Sequence, residues 1–141
     1  MKIRDLMTAN VATCTRNETV IEAARQMQSQ NVGSVPVIND DRLVGIITDR
    51  DIIVNCVAKG RDCATTTVES CMTTNPVTVT PETDAHEAAQ LMASEQIRRL
   101  PVVENGKLVG ICSLGDLAVV DIHINEAGEA LSGISEQTTM H

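Results

Sequence analysis

The chain contains no phenylalanine, tyrosine or tryptophan. Its core must therefore be built from valine, isoleucine, leucine, methionine and alanine. A planar ligand has no ring to stack on and would have to lie between aliphatic side chains, and nucleic-acid binding by base stacking is disfavoured for the same reason. Positive charge is also scarce. Eleven Lys and Arg face nineteen Asp and Glu, for a net charge of -8, so the basic stripe of a general nucleic-acid surface is missing. No stretch approaches the ~20 apolar residues of a membrane-spanning helix, and the apolar run at residues 109–120 is interrupted by Asp116. The opening Met1-Lys2-Ile3-Arg4-Asp5 lacks the apolar centre of a secretory signal. The expectation is a soluble cytoplasmic protein with no nucleic-acid and no membrane partner.

Catalytic and metal-binding patterns are missing as well. There is no Gly-x-Ser-x-Gly, His-Glu-x-x-His or Gly-x-x-x-x-Gly-Lys, so the chain is not expected to be an enzyme. The five cysteines stand at 14, 56, 63, 71 and 112, an odd number without a Cys-x-x-Cys. In a chain without a secretion signal these are reduced thiols. Cys14 and Cys112 fall on expected strands and read as small buried hydrophobes, while Cys56, Cys63 and Cys71 lie near a connector. His86, His123 and His141 make no zinc-like spacing with them, and no metal site or cofactor is expected.

What the chain does have is a duplication. Shifted by 65 positions, residues 7–52 fall on residues 72–117 without a gap, and 17 of the 46 pairs are identical. Met7-Thr8 meets Met72-Thr73, Glu22-Ala23-Ala24 meets Glu87-Ala88-Ala89, Pro36-Val37 meets Pro101-Val102, and Leu43-Val44-Gly45-Ile46 meets Leu108-Val109-Gly110-Ile111, with Asp51 on Asp116. Each copy has only about 50 ordered residues, too few for a generous core of its own, so the copies are expected to pack on each other. A site built at a duplicated position then occurs twice.

Each copy reads as strand, helix, strand, strand, helix, with a helical turn in front at residues 3–7. Residues 12–15 form the first short strand. Thr19 or its neighbour opens a helix whose stripe is Val20, Ala23, Ala24 and Met27, matched by Ala85, Ala88, Ala89 and Met92. Asn31-Val32-Gly33-Ser34 breaks it. Val35-Pro36-Val37-Ile38 is a buried strand, Asn39-Asp40-Asp41 a turn matched by Glu104-Asn105-Gly106, and residues 43–47 the next strand. Thr48 or Asp49 caps the last helix. The organisation is one α+β module with repeat 1 at residues 2–59, a polar connector at 60–67, repeat 2 at 68–121 and a tail at 122–141, in which residues 125–131 have helical character.

Thr48 and Asp51 stand three apart at a strand-to-helix junction, on one side of the helix start. A hydroxyl with free backbone N–H groups there favours an anion such as phosphate. The Asp, acceptor-only when ionised, suits the cis-diol of a ribose. Ser113 and Asp116 repeat the arrangement. The bland alternative is a helix cap with a solvated aspartate. Arg98 and Arg99 replace Gly33 and Ser34 in the second copy. In an acidic chain two adjacent arginines form a local anion site, against the alternative of surface ion pairs to Glu95 or Glu104.

The element order, the Pro-Val strand, and the endings Gly45-Ile46-Ile47-Thr48-Asp49-Arg50-Asp51 and Gly110-Ile111-Cys112-Ser113-Leu114-Gly115-Asp116 resemble a CBS domain. Two in tandem resemble a CBS pair, or Bateman module, over residues 2–121, as in short stand-alone bacterial CBS-pair proteins. The resemblance implies two repeats packed about a pseudo-twofold axis, with clefts between them that bind an adenosine-containing ligand such as AMP, ADP or ATP. Thr48, Asp51, Ser113 and Asp116 would contact ribose and phosphates, and Arg98 and Arg99 the phosphates. Thr13, Thr15, Thr78 and Thr80 would lie beside the base, and Val35, Pro36, Val37, Leu100, Pro101 and Val102 would form aliphatic walls, though each of these wall residues also fits an ordinary sheet core.

The resemblance further implies a homodimer, for which the helices at residues 20–27 and 85–92 are candidate interfaces, and a protein partner of unknown identity that senses the ligand. Two other readings stay open: a ligand-free dimerisation or stress-response scaffold, and a metal- or redox-responsive module using Cys56, Cys63 or Cys71.

Overall fold

The computed structural model describes residues 1–118. The expected tail and its helix at residues 125–131 lie outside the described residues. A 3-10 turn (Ile3–Asp5) leads into β1 (Cys14–Thr15), α1 (Val20–Gln30), β2 (Ser34–Asn39), β3 (Arg42–Thr48) and α2 (Asp49–Ile52), which continues as a π-helical turn (Ile53–Val57). A second 3-10 turn (Val68–Ser70) precedes β4 (Thr73–Thr74), α3 (Ala85–Glu95), β5 (Arg99–Glu104), β6 (Lys107–Ser113) and α4 (Leu114–Ala118).

Local chemistry sets the helix ends. Thr19 caps α1: its hydroxyl oxygen accepts from the Glu22 N–H at 3.4 Å, and the hydroxyl donates to Glu22 Oε1 at 3.1 Å. Asp84 caps α3 by accepting from the His86 N–H at 3.0 Å. At the other ends the chain turns left-handed at Asn31 (φ 54°) and Gln96 (φ 56°), and the next N–H reaches back, Val32 to the Met27 carbonyl and Ile97 to the Met92 carbonyl, both at 3.0 Å. This reversal at Asn31 stops the first helix, at the start of the expected Asn31-Val32-Gly33-Ser34 break. The predicted stripes are buried: Val20, Ala23 and Met27 on α1, and Ala85, Ala88, Ala89 and Met92 on α3. Ala24 packs only partly. Because these side chains fill the core of the chain itself, the apolar stripes are not free to form the expected interface between copies.

The chain divides into two compact units that cut across the sequence repeats. One holds Ala12–Pro76 with Gly106–Leu108; the other holds Met1–Val11, Val77–Asn105 and the chain from Val109. In the first, β1 runs parallel to β2, β2 pairs antiparallel with β3, and β4 lies antiparallel on β3 with Gly45 opposite Thr74. In the second, Thr8 bridges Ile111 and Val79 bridges Val102.

The leading turn of each repeat is thus exchanged. Ile3, with its N–H on the Thr83 carbonyl at 2.9 Å, is wholly buried in the core of α3, β5 and β6. Its counterpart Val68, bonded to the Glu18 carbonyl at 2.8 Å, is wholly buried in the core of α1, β2 and β3. The exchange also accounts for two glycines of the duplicated motif. A Cβ on Gly45 would stand 2.8 Å from both Met72 Sδ and the Thr73 carbonyl, and one on Gly110 would stand 2.8 Å from the Thr8 carbonyl and 2.9 Å from Met7 Sδ. The repeated Met-Thr pair and the repeated glycine are therefore two sides of one contact.

Candidate functional site

At the end of β3, Thr48 and Asp51 bond each other reciprocally. The Asp51 N–H donates to Thr48 Oγ1 at 3.0 Å, and the Thr48 N–H donates to Asp51 Oδ2 at 3.0 Å. A third residue joins them: the Thr73 hydroxyl, brought in by β4, lies 3.2 and 3.3 Å from the two carboxylate oxygens of Asp51. At the end of β6 the pattern recurs, with the Asp116 N–H on Ser113 Oγ at 3.1 Å and the Ser113 N–H on Asp116 Oδ2 at 2.8 Å.

Both pairs are capping boxes, and this corrects one expectation. The backbone N–H groups of the first junction are not free for an anion, and in the second those of Ser113, Leu114 and Asp116 are also taken. Besides those of Thr48 and Asp51, the Asp49 N–H goes to the Gly33 carbonyl at 2.9 Å and the Arg50 N–H to Asp49 Oδ1 at 2.8 Å. In the second repeat the Leu114 N–H goes to the Arg98 carbonyl at 2.8 Å. The carboxylates keep capacity, because an ionised carboxylate accepts about four hydrogen bonds.

Each unit gathers one set of the sequence-selected residues. In one, Thr13 and Thr15 flank and end the short β1, which runs beside Val37 and Ile38 of β2. The Thr13 carbonyl accepts from Gln26 Nε2 at 2.9 Å, and the Thr15 N–H donates to Glu18 Oε2 at 3.2 Å. In the other, the segment carrying Thr78 and Thr80 lies along β5, with the Val79 N–H on the Pro101 carbonyl at 3.1 Å. Thr80 bonds Thr83 through both its N–H and its hydroxyl.

The proposed aliphatic walls are core. Val35 and Val37 sit in one hydrophobic cluster and Leu100 and Val102 in the other, and Pro36 and Pro101 are buried beside them. The ordinary-core reading describes these six as they stand.

The arginines distinguish the two sets. Arg98 is exposed and Arg99, the first residue of β5, is half-buried. Among the described residues neither forms an ion pair, and Glu104 pairs with Arg4 instead. The equivalent place in the first repeat carries the opposite charge. A Cβ on Gly33 would lie 3.1 Å from Asp49 Oδ2, so an acidic group stands where the second repeat has Arg98. Cys14 and Cys112 are buried, and burial pushes both thiols up to about 12, which keeps them protonated.

These features of fold and motif match known proteins. The sequence pattern of the CBS domain matches residues 3–57 and again residues 68–123. The chain belongs to the CBS-domain family. The CBS domain-containing protein YhcV of Bacillus subtilis is 47% identical over 135 residues, covering 96% of each chain. Among solved CBS structures, Hypoxic Response Protein I with two coordinated zinc ions superposes with a TM-score of 0.78 at 34% identity, over 85% of this chain and 98% of that one. CBSX2 in complex with AMP superposes with a TM-score of 0.76 at 29% identity, over 88% and 98%. Among the described residues no group of three or more His, Cys, Asp and Glu side chains is placed to hold a metal ion.

Sequence reasoning missed Thr73 as a partner of Asp51. The identical Met-Thr pairs at 7–8 and 72–73 were the available signal.

Proposed function

We propose that this CBS pair is a non-catalytic regulatory module that binds an adenosine-containing ligand, AMP, ADP or ATP, chiefly through its second repeat. The observation that carries this reading is the conjunction in one unit of the Ser113/Asp116 pair with two arginines that form no ion pair among the described residues. Asp116 accepts from a ribose hydroxyl while still capping α4. Arg98 and Arg99 meet the phosphates that the occupied backbone N–H groups cannot. Thr78 and Thr80 lie beside the base, and Thr13, Thr15, Thr48 and Asp51 form the weaker counterpart. The AMP complex of the similar CBSX2 supports the ligand class. No cofactor takes part, and the ligand state is read by a protein partner. Self-association is part of the proposal, supported by the exposed Ile53, Val54 and Val57 on one short segment.

The test uses the missing aromatics. Without Trp or Tyr the chain is nearly blind at 280 nm, so a co-purifying nucleotide dominates the ultraviolet spectrum, and chromatography of the acid-released supernatant identifies it. Asp116→Ala is expected to weaken nucleotide binding at least tenfold, about 1.4 kcal/mol, and Asp49→Ala to leave it unchanged. A chain that carries no nucleotide, and whose melting temperature does not respond to added AMP, ADP or ATP, would put the ligand-free scaffold in its place.

A further inference from the structure

Two of the five thiols lie together. Cys56 Sγ, on the π-helical turn after α2, stands 3.2 Å from Cys63 Sγ in the connector. Cys56 is wholly buried and Cys63 is half-buried, so Cys63 is the more accessible residue of the two. The connector is held against α1 by backbone bonds, Ile21 N–H to the Cys63 carbonyl at 3.0 Å and Val20 N–H to the Thr66 carbonyl at 2.9 Å. The two sulfurs are therefore presented by anchored segments.

We propose that Cys56 and Cys63 form a reversible disulfide, making the junction between α2 and the connector a site of thiol–disulfide exchange with a low-molecular-weight disulfide such as oxidised glutathione. The Cys63 thiolate attacks the small disulfide, forming a mixed disulfide and expelling one small thiolate. The Cys56 thiolate then attacks the Cys63 sulfur of that mixed disulfide, forming the internal bond and expelling the second. The two protein thiols lose two electrons and two protons; the small disulfide gains them as two thiols. The sulfurs need to close from 3.2 Å to roughly 2.05 Å, a short movement for a half-buried side chain.

Burial, and secondarily the hydrogen bond with Cys63, push the Cys56 thiol up, which fits its role as the second thiol and not the first. Cys71 is buried in the same core, and its sulfur lies against the Asn55 carbonyl at 3.7 Å. The inference is independent of nucleotide binding.

The experiment incubates the full chain with mixtures of oxidised and reduced glutathione, quenches with acid, alkylates and weighs it. The expected product has lost two of its five thiols together and carries no glutathione. Trypsin followed by cleavage after Glu69 then leaves residues 51–59 joined to residues 62–69 until reduction. Cys56→Ser is expected to stop at glutathione on Cys63, and Cys63→Ser, at the less buried position, to take up none at Cys56. Five free thiols at every ratio, glutathione persisting on Cys63 of the unsubstituted chain, or a linkage through Cys71 would each overturn the assignment.

Discussion

The two repeats share a junction but not its electrostatics. At the first, Gly33 leaves room that the Asp49 carboxylate occupies, and Asp51 accepts from both Thr48 and Thr73. At the second, Arg98 takes the place of Gly33 and Leu114 that of Asp49, while Ser113 and Asp116 keep the capping box. One junction carries Asp49 and Asp51 and is internally satisfied; the other has the same scaffold with Asp116 alone and two arginines added. A duplicated fold thus preserves the backbone device and changes the charge around it. The lesson is that the repeated residues identify the scaffold, and the unrepeated ones set the charge beside it.

The comparison is sharpest where both copies are expected to behave alike. Gly45→Ala and Gly110→Ala each drive a Cβ into the exchanged lead segment and should each cost about 1–3 kcal/mol in chemical denaturation; a large cost at only one would break the equivalence. Next in size is the cap. Asp51→Ala should lower stability by roughly 1–2 kcal/mol, since the carboxylate both caps α2 and holds Thr73. Thr73→Val should reproduce part of that loss, whereas Arg98→Ala should leave stability within about 0.5 kcal/mol and weaken only nucleotide binding.

The hairpin turns provide a smaller difference. Asp40 and Asp41 (φ 51° and 68°) occupy the positions taken by Asn105 and Gly106 (φ 54° and 80°) in the second copy, and Asn-Gly is the favoured pair for two residues with positive φ. Asp41→Gly should therefore stabilise the protein by roughly 1 kcal/mol, read as a rise in melting temperature.

The smallest effect belongs to an ion cluster on one unit only. Hydrogen bonds from Lys2 and then Arg4 hold the exposed Glu82 carboxyl down to about 2. A carboxylate whose folded value lies below its unfolded 4.5 stabilises above that pH and loses its contribution as pH falls toward 2. Exposure and salt screening keep the effect small. Melting curves of the chain and of Glu82→Gln should converge across that window.

Much of this was legible because periodicity and punctuation were strong. The stripes of α1 and α3, the caps at Thr19 and Thr48, and the turn at residues 39–41 follow from local rules and stand where the sequence places them. Less was legible where tertiary context decides. The free N–H groups expected at Thr48 are occupied because Asp51 folds back onto them, a choice the same residues allow either way. Burial of Val35, Val37, Leu100 and Val102 as core depends on neighbours distant in sequence. The exchange of lead segments could not be read from the repeat boundaries, because a repeat in sequence says nothing about which copy its first residues join.

That exchange has a mechanical consequence. Ile3, at the very start of the chain, is an anchor in the core built by α3, β5 and β6, and Val68 is an anchor in the core built by α1, β2 and β3. Tension applied at Met1 therefore falls first on elements encoded in the second repeat, through the Ile3 anchor and its bond to the Thr83 carbonyl.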